Sequence, residues 1–385
     1  MVYLDNAATT RPCGAAVSAV SRMLTEGWAN PSAAYREAVD VEKQIAKARE
    51  TILHSFGDSR LSLVFTGGGT EADSLAVLGG VSRRKDKSRV ILFSAEHPAV
   101  LKLPPKLEAR GYEVCLIPSL EDGRIDLDAF ETAANSEVCL ASLMHVNNET
   151  GAVQPVAEAT AILKRKNPDA LFHSDGVQAF MRLPFPAGID LYSISAHKIH
   201  GPKGIGALVV KNPSKIEAQI VGGGQENGLR AGTENTPGIA GFAAAVEWIA
   251  SQTECADRLR AMKCCFYHEL LHRIDGLRVN GPDPESQQSA PHIINVSMPD
   301  VRGEVMLHAL ELENILVGTG AACGARKVKN SRTLEVMRVP PWAAENAIRV
   351  SFGLMNTPDE AREAAEAVFR CYRKFRVARS PVRQA

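Results

Sequence analysis

This sequence carries no surplus of charge. Its 44 lysines and arginines balance 44 aspartates and glutamates over 385 residues, for a net charge of zero. That removes the electrostatic reason to expect nucleic acid or an anionic membrane as the main partner. No uninterrupted apolar run is long enough to cross a bilayer. Val2-Tyr3-Leu4 enters a strand-like stretch at once, with no basic segment ahead of an apolar one, so no export signal and a cytoplasmic location are expected. There are eight cysteines, yet none form a C-x-x-C pair, which leaves a zinc site or iron–sulfur cluster of that kind unsupported. Without export they are expected to be reduced thiols, most of them small core residues.

What is present is alternation. Leu61 to Phe65, Val90 to Ser94, Glu113 to Ile117, Val138 to Leu143, Ala170 to Asp175, Ile189 to Ile194 and Ile205 to Val210 read as short strands. Helical stretches near 99–110, 126–134 and 156–166 separate several of them, and 33–55 carries Val39, Ile45, Ala46 and Ile52 at helical spacing. Such alternation argues for an α/β fold with a mostly parallel sheet covered on both faces. From residue 255 the pattern changes to a long helix, 255–274, and then short strands such as Ile293 to Ser297 and Ile348 to Phe352. A chain of this length suits one large and one smaller domain. The expected division is 14–255 for the large domain, and 1–13 with 256–385 for a small α+β domain.

The chemistry gathers at strand ends. Lys198 follows one buried strand and precedes a turn rich in glycine and proline. A lysine at the mouth of a buried sheet is poorly solvated, which lowers its pKa and leaves an amine able to attack a carbonyl. Asp175 closes another apolar run. A buried lysine and a buried carboxylate, both at strand ends, are what pyridoxal phosphate needs. Gly67-Gly68-Gly69-Thr70 lies between a strand and a helix start, where free N–H groups and the helix dipole bind an anion and Thr70 adds a donor. G-x-x-x-x-G-K-[ST] is absent, so this is no P-loop. Gly67-x-Gly69-x-x-Ala72 does match a loose dinucleotide fingerprint, which keeps a nicotinamide cofactor open on these residues alone.

Other positions read two ways. His97 suits stacking on an aromatic ring, or a plain helix cap. Asn147 and Asn148 are ligands or turn formers. Residues 222–235 hold too much glycine for a regular element and read as a surface loop. Cys323 stands among small residues ahead of Arg326, Lys327 and Lys329, and positive charge favours its thiolate, although an arbitrary cysteine is more often buried and inert. Arg349 is a carboxylate fork or a surface strand arginine.

In order along the chain, Tyr3-Leu4-Asp5-Asn6-Ala7-Ala8-Thr9-Thr10, Ser195-Ala196-His197-Lys198-Ile199-His200-Gly201-Pro202-Lys203-Gly204 and Ile348-Arg349-Val350-Ser351-Phe352-Gly353 resemble the cysteine desulfurases of the NifS/IscS type. These are fold-type I pyridoxal-phosphate enzymes of the class V aminotransferase family. The resemblance implies a large domain on a mostly parallel seven-stranded sheet, with pyridoxal 5'-phosphate as cofactor. It assigns Lys198 to the cofactor's aldehyde, and Gly69, Thr70, Ser195 and His197 to its phosphate. Thr233 would reach the phosphate of a neighbouring subunit in a homodimer. His97 would stack on the pyridine and shuttle protons, Asp175 would pair with the ring nitrogen, and Gln178 with the phenolic oxygen. Asn148, Arg349 and Asn30 fall on the substrate side. Cys323 would take sulfur from L-cysteine as a persulfide, releasing alanine, and pass it to an acceptor protein for iron–sulfur clusters or thiolated cofactors. Residues 324–333 would swing that sulfur outward.

The chain departs from the pattern in places. Gly176 stands where alanine is usual, Asn227 for arginine, Tyr35 for histidine and Ser74 for asparagine. Ala321, Gly324 and Ala325 remove hydroxyls near Cys323. The competing readings are a selenocysteine lyase or other β-lyase on the same fold, a NAD-dependent oxidoreductase, and a scaffold without catalysis.

Overall fold

The computed structural model describes residues 1–84, 86–319 and 331–376. The chain starts with an arm whose strand, β1 (Val2–Tyr3), is too short to stand without a partner. Seven strands of five residues follow: β2 (Ser62–Thr66), β3 (Arg89–Phe93), β4 (Glu113–Ile117), β5 (Val138–Ser142), β6 (Leu171–Asp175), β7 (Leu191–Ser195) and β8 (Gly206–Val210). They make one sheet in the order β2-β8-β7-β6-β5-β3-β4. β3, β4, β5, β6 and β7 pair in parallel, and β8 opposes both of its neighbours.

Every residue of β5, β6, β7 and β8 is buried, as in a sheet covered on both faces, which is why these segments read as near-continuous apolar runs. Phe65, Ile91, Phe172 and Val209 enter one core with helices Arg36–His54, Val156–Lys166 and Thr236–Ala250. Val64, Leu92, Leu140 and Leu208 enter a second, with the helical run 69–82. The helix expected near 99–110 is instead two short ones, Pro98–Leu101 and Pro104–Glu108. Pro104 and Pro105 have no N–H with which to continue the first.

Four strands come later: β9 (Arg278–Val279), β10 (Ile293–Ser297), β11 (Ile315–Leu316) and β12 (Ala347–Ser351). β12, β10 and β9 form an antiparallel sheet. Its core includes side chains of helices Cys255–Leu271, Gly303–Leu312 and Pro358–Phe375, together with Val2 and Leu4 of the arm. β1 pairs in parallel with β11, and Asp5 bridges to Ser351. Further along, the Thr10 N–H donates to His197 O (2.8 Å) and the Cys13 N–H to His200 O (2.9 Å). The arm therefore runs from the later strands to the lysine segment after β7. No described helix is long and apolar enough to cross a membrane.

Candidate active site

A cavity of about 860 Å³ opens where β2 and β7 end, at the carboxyl edge where open α/β sheets bind ligands. Gly67 to Thr70, Ser195 and His197 line it. The backbone at Gly69 is closely approached, since a Cβ there would sit 2.8 Å from Val177 Cγ2. Ser195 is buried, and its hydroxyl has no hydrogen-bond partner among the described residues. His197 Nδ1 lies 3.1 Å from Thr9 Oγ1. Burial and the nearby Lys198 and Lys203 push its pKa down to about 4, so it is neutral at pH 7.

The 222–235 loop is fastened rather than loose. Glu226 pairs with Arg49 (2.7 Å) and accepts the Phe65 N–H (2.8 Å), and Arg230 pairs with Glu71 at the cavity wall (2.8 Å). Asn227 is left-handed (φ 56°), a conformation asparagine adopts more readily than arginine, which gives that departure a backbone reason. Thr233 is exposed and does not line the cavity of its own chain.

Lys198 ends the single turn Ala196–Lys198 that follows β7. Its ammonium donates to Ala7 O (2.6 Å) and Ala8 O (2.7 Å) of the arm. Burial first, then the Arg349 charge, lowers its pKa to about 8. Asp175, the last residue of β6, is buried and accepts the Val177 N–H (2.9 Å). Burial and the charge of Asp73 raise its pKa to about 6. Ligand atoms of Asp73, His97 and Asp175 all lie within 4.8 Å of one another. His97 both caps and faces the site: its Nδ1 accepts the Ala99 N–H (3.2 Å), and burial lowers its pKa. Gln178 is buried and donates to Ala7 O (2.8 Å).

Beneath this group lies a buried polar layer that sequence reasoning missed. Glu96 accepts from the Met144 N–H (2.8 Å) and Ser142 Oγ (3.2 Å), and burial raises its pKa well above the carboxylate range. Ser142 Oγ is 2.9 Å from His173 Nδ1, whose other nitrogen is 3.0 Å from Ser193 Oγ and 3.5 Å from Asp73. The available signal was polarity out of place: Asp73 stands shortly before the apolar run that starts at Leu75, and His173 interrupts Ala170-Leu171-Phe172.

Gly176 also finds its reason. A Cβ there would fall 2.0 Å from Cζ of the Tyr192 ring, whose hydroxyl is 2.9 Å from His145 Nδ1. Gly176→Ala is expected to destabilise the protein by about 1–3 kcal/mol, the range for overpacking a filled core, read as a lower midpoint in thermal or urea unfolding.

Arg349 is no surface residue. It is buried, pairs with Asp5 (2.6 Å) and donates to Asn148 O (2.9 Å), while its Nε has no partner among the described residues. Of the two asparagines, Asn147 builds the turn: its amide donates to Ala95 O (3.0 Å) and its oxygen accepts the Glu149 and Thr150 N–H groups. Asn30 is exposed and its side chain accepts the Ser32 N–H (3.0 Å).

Cys323 lies outside the described residues, as do 320–330. The residues on either side of that stretch are tied to Arg349 and Glu149. Gly318 and Arg349 exchange backbone hydrogen bonds (3.0 and 2.7 Å). Ser331 (2.5 Å) and Thr333 (2.8 Å) both donate to Glu149, next to Asn148. Of the segment 324–333 expected to swing, 324–330 lie outside the described residues. Ser331 caps helix Arg332–Val336, and the Glu149 carboxylate holds both hydroxyls.

The model of the aminotransferase class-V family matches residues 2–363. The chain belongs to this family. It is similar to a Dictyoglomus turgidum protein named cysteine desulfurase IscS, 36% identical over 388 residues, covering all of this chain and 97% of that one. It is similar to a Gluconacetobacter diazotrophicus protein named cysteine desulfurase, 38% identical over 362 residues, covering 92% and 89%. A solved structure named NifS-like protein matches with a TM-score of 0.89 at 31% identity, covering 97% of this chain and 99% of that one. The mostly parallel seven-stranded sheet of this class-V chain is therefore the NifS-like fold.

Proposed function

We propose that this class-V protein is a cysteine desulfurase, which moves the sulfur of L-cysteine onto Cys323 as a persulfide and releases L-alanine. The observation that carries the reading is full-length likeness to relatives named cysteine desulfurases, in a chain that keeps the lysine, aspartate, arginine and cysteine of that type.

The residues present fit pyridoxal 5'-phosphate. Ser195 offers an unpartnered hydroxyl beside a glycine turn, Asp175 is a buried carboxylate short of a cation, and Lys198 is an amine with a lowered pKa. Bound there, the cofactor would act as an electron sink for the substrate's α-carbon. The side chains do the rest. Gly69, Thr70, Ser195 and His197 hold the phosphate. Asp175 stays ionised to keep the ring nitrogen protonated, Gln178 donates to the phenolic oxygen, and His97 covers the ring and relays protons. Asn148 and Arg349 grip the substrate carboxylate, and Asn30 is the further substrate contact that the family resemblance implies. Lys198 takes the α-proton, which its lowered pKa allows near neutrality. The Cys323 thiolate attacks the substrate sulfur: an S–S bond forms, the C–S bond breaks, and an acceptor protein later removes the sulfur.

Residues 14–255 then act as the cofactor-holding domain, and 1–13 with 256–385 as the domain bearing Cys323. Thr233 serves the phosphate site of a second copy in a homodimer. Its exposure supports this, as do the exposed Leu24, Trp28 and Val221, which suit an interface. The location is the cytoplasm.

The test is direct. The cofactor-loaded protein is incubated with L-cysteine without reductant, and its peptides are weighed by mass spectrometry. One added sulfur on the Cys323 peptide with matching alanine is expected. Free sulfide with pyruvate and ammonia and no adduct would indicate a β-lyase, and the absence of both adduct and alanine would overturn the assignment.

A further inference from the structure

His292 immediately precedes β10 and is fully buried. Its Nε2 lies 3.3 Å from Gln178 Oε1, and its Nδ1 has no hydrogen-bond partner among the described residues. Four cationic residues surround it: Arg182 from the turn after β6, Lys198 from the segment after β7, Lys263 from helix Cys255–Leu271 and Arg349 from β12. Burial and these charges hold the imidazole neutral.

A neutral imidazole has one N–H and one lone pair. The Gln178 amide nitrogen donates to Ala7 O (2.8 Å), which turns Oε1 toward His292. The ring proton therefore sits on Nε2 and the lone pair on Nδ1. A buried lone pair without a partner is unfavourable, and here it accompanies a donor at Nε2. Flipping the amide would set Oε1 against Ala7 O and the NH₂ against an N–H. Ala7 O also accepts from Lys198 Nζ (2.6 Å), so Gln178 and Lys198 are tied through one carbonyl. One N–H of the amide remains after Ala7 O is served.

We infer that His292 is a positioning residue for the cofactor: its Nε2–H clamps the Gln178 carboxamide in the orientation that leaves one amide N–H for the ring's phenolic oxygen. The inference rests on the reading of Gln178 given above. Donation to that oxygen favours its ionised form, so a loosened amide moves the pH midpoint of the bound cofactor's visible absorption upward.

Titrating the absorbance of the loaded protein reads this without turnover. His292→Leu is expected to raise the midpoint by about 0.5–1 pH unit and to weaken pyridoxal phosphate binding about three- to tenfold. His292→Gln keeps an N–H donor of similar reach and is expected to restore most of the native midpoint. If His292→Leu does not fold, His292→Asn, whose amide is too short to reach Oε1, carries the same expected shift. Gln178→Ala in parallel is expected to shift the midpoint at least as far. An unchanged midpoint in the His292 variants beside a shifted Gln178→Ala overturns the clamp and leaves the role of Gln178 standing. An unchanged midpoint in all of them overturns both.

Discussion

Lys198→Arg is expected to abolish desulfuration, by about 10³-fold or more, while keeping a positive charge at the same place. Lys198 sits where charge and nucleophilicity can be separated. Its ammonium is held by Ala7 O and Ala8 O, and burial with Arg349 brings its pKa down to about 8. Near neutrality a fraction of the amine is therefore free to attack and to accept the α-proton. Arginine would keep hydrogen bonds to the two carbonyls but stays protonated at any working pH, so it does neither. Lys198→Ala loses the charge as well and is expected to be equally inactive. Both variants should lack the visible absorption that the native protein gains on taking up pyridoxal phosphate. In the native protein the rate of that uptake should rise with pH up to about 8 and then level, because only the neutral amine reacts. Stopped-flow absorbance measures the uptake and an alanine assay the turnover. A Lys198→Arg variant that kept a tenth of native turnover would remove this lysine from the chemistry.

Much of this site was legible because strand ends are legible. Short apolar runs that stop at Asp175 or at Ser195-Ala196-His197-Lys198 place their polar residues at a sheet edge whatever the details of packing. Partners are another matter. Gln178 and His292 meet across 114 residues of sequence, and Arg349 reaches Asn148 across 201. Periodicity reports whether a position is buried, not what it touches. For the same reason Asp73, Glu96 and His173 passed as ordinary residues, although together they floor the site. Arg349 left its two readings open because a five-residue strand does not show what crosses it. The Asp5 bridge from the arm and the Gly318 pairing bury this one. The loop at 222–235 read as a flexible surface from its glycines, whereas Glu226 and Arg230 tie it down through charges far away in sequence.

Asp175→Asn should make the protein more stable and nearly inactive at once. The carboxylate is buried beside Asp73, and its pKa is raised to about 6. A raised carboxyl pKa means that the folded chain holds this proton more tightly than the unfolded chain does. Its effect on stability is therefore least unfavourable at low pH, worsens as pH rises from about 4 to 6, and is constant above that. Asparagine removes the penalty and the repulsion from Asp73, while its oxygen can still accept the Val177 N–H. The cofactor-free variant should gain about 1–3 kcal/mol at pH 7.5 and nothing at pH 4, read from thermal unfolding at the two values. With cofactor the order reverses. A protonated ring nitrogen is the cation that Asp175 lacks, so pyridoxal phosphate should raise the melting temperature of the native protein more than that of the variant. Losing that charge should lower desulfuration about 10²–10³-fold, the usual effect of removing one preorganised charge at a reacting centre. Equal stabilisation at both pH values would show that Asp175 is not the titrating group. Native turnover in Asp175→Asn would show that it does not face the ring nitrogen.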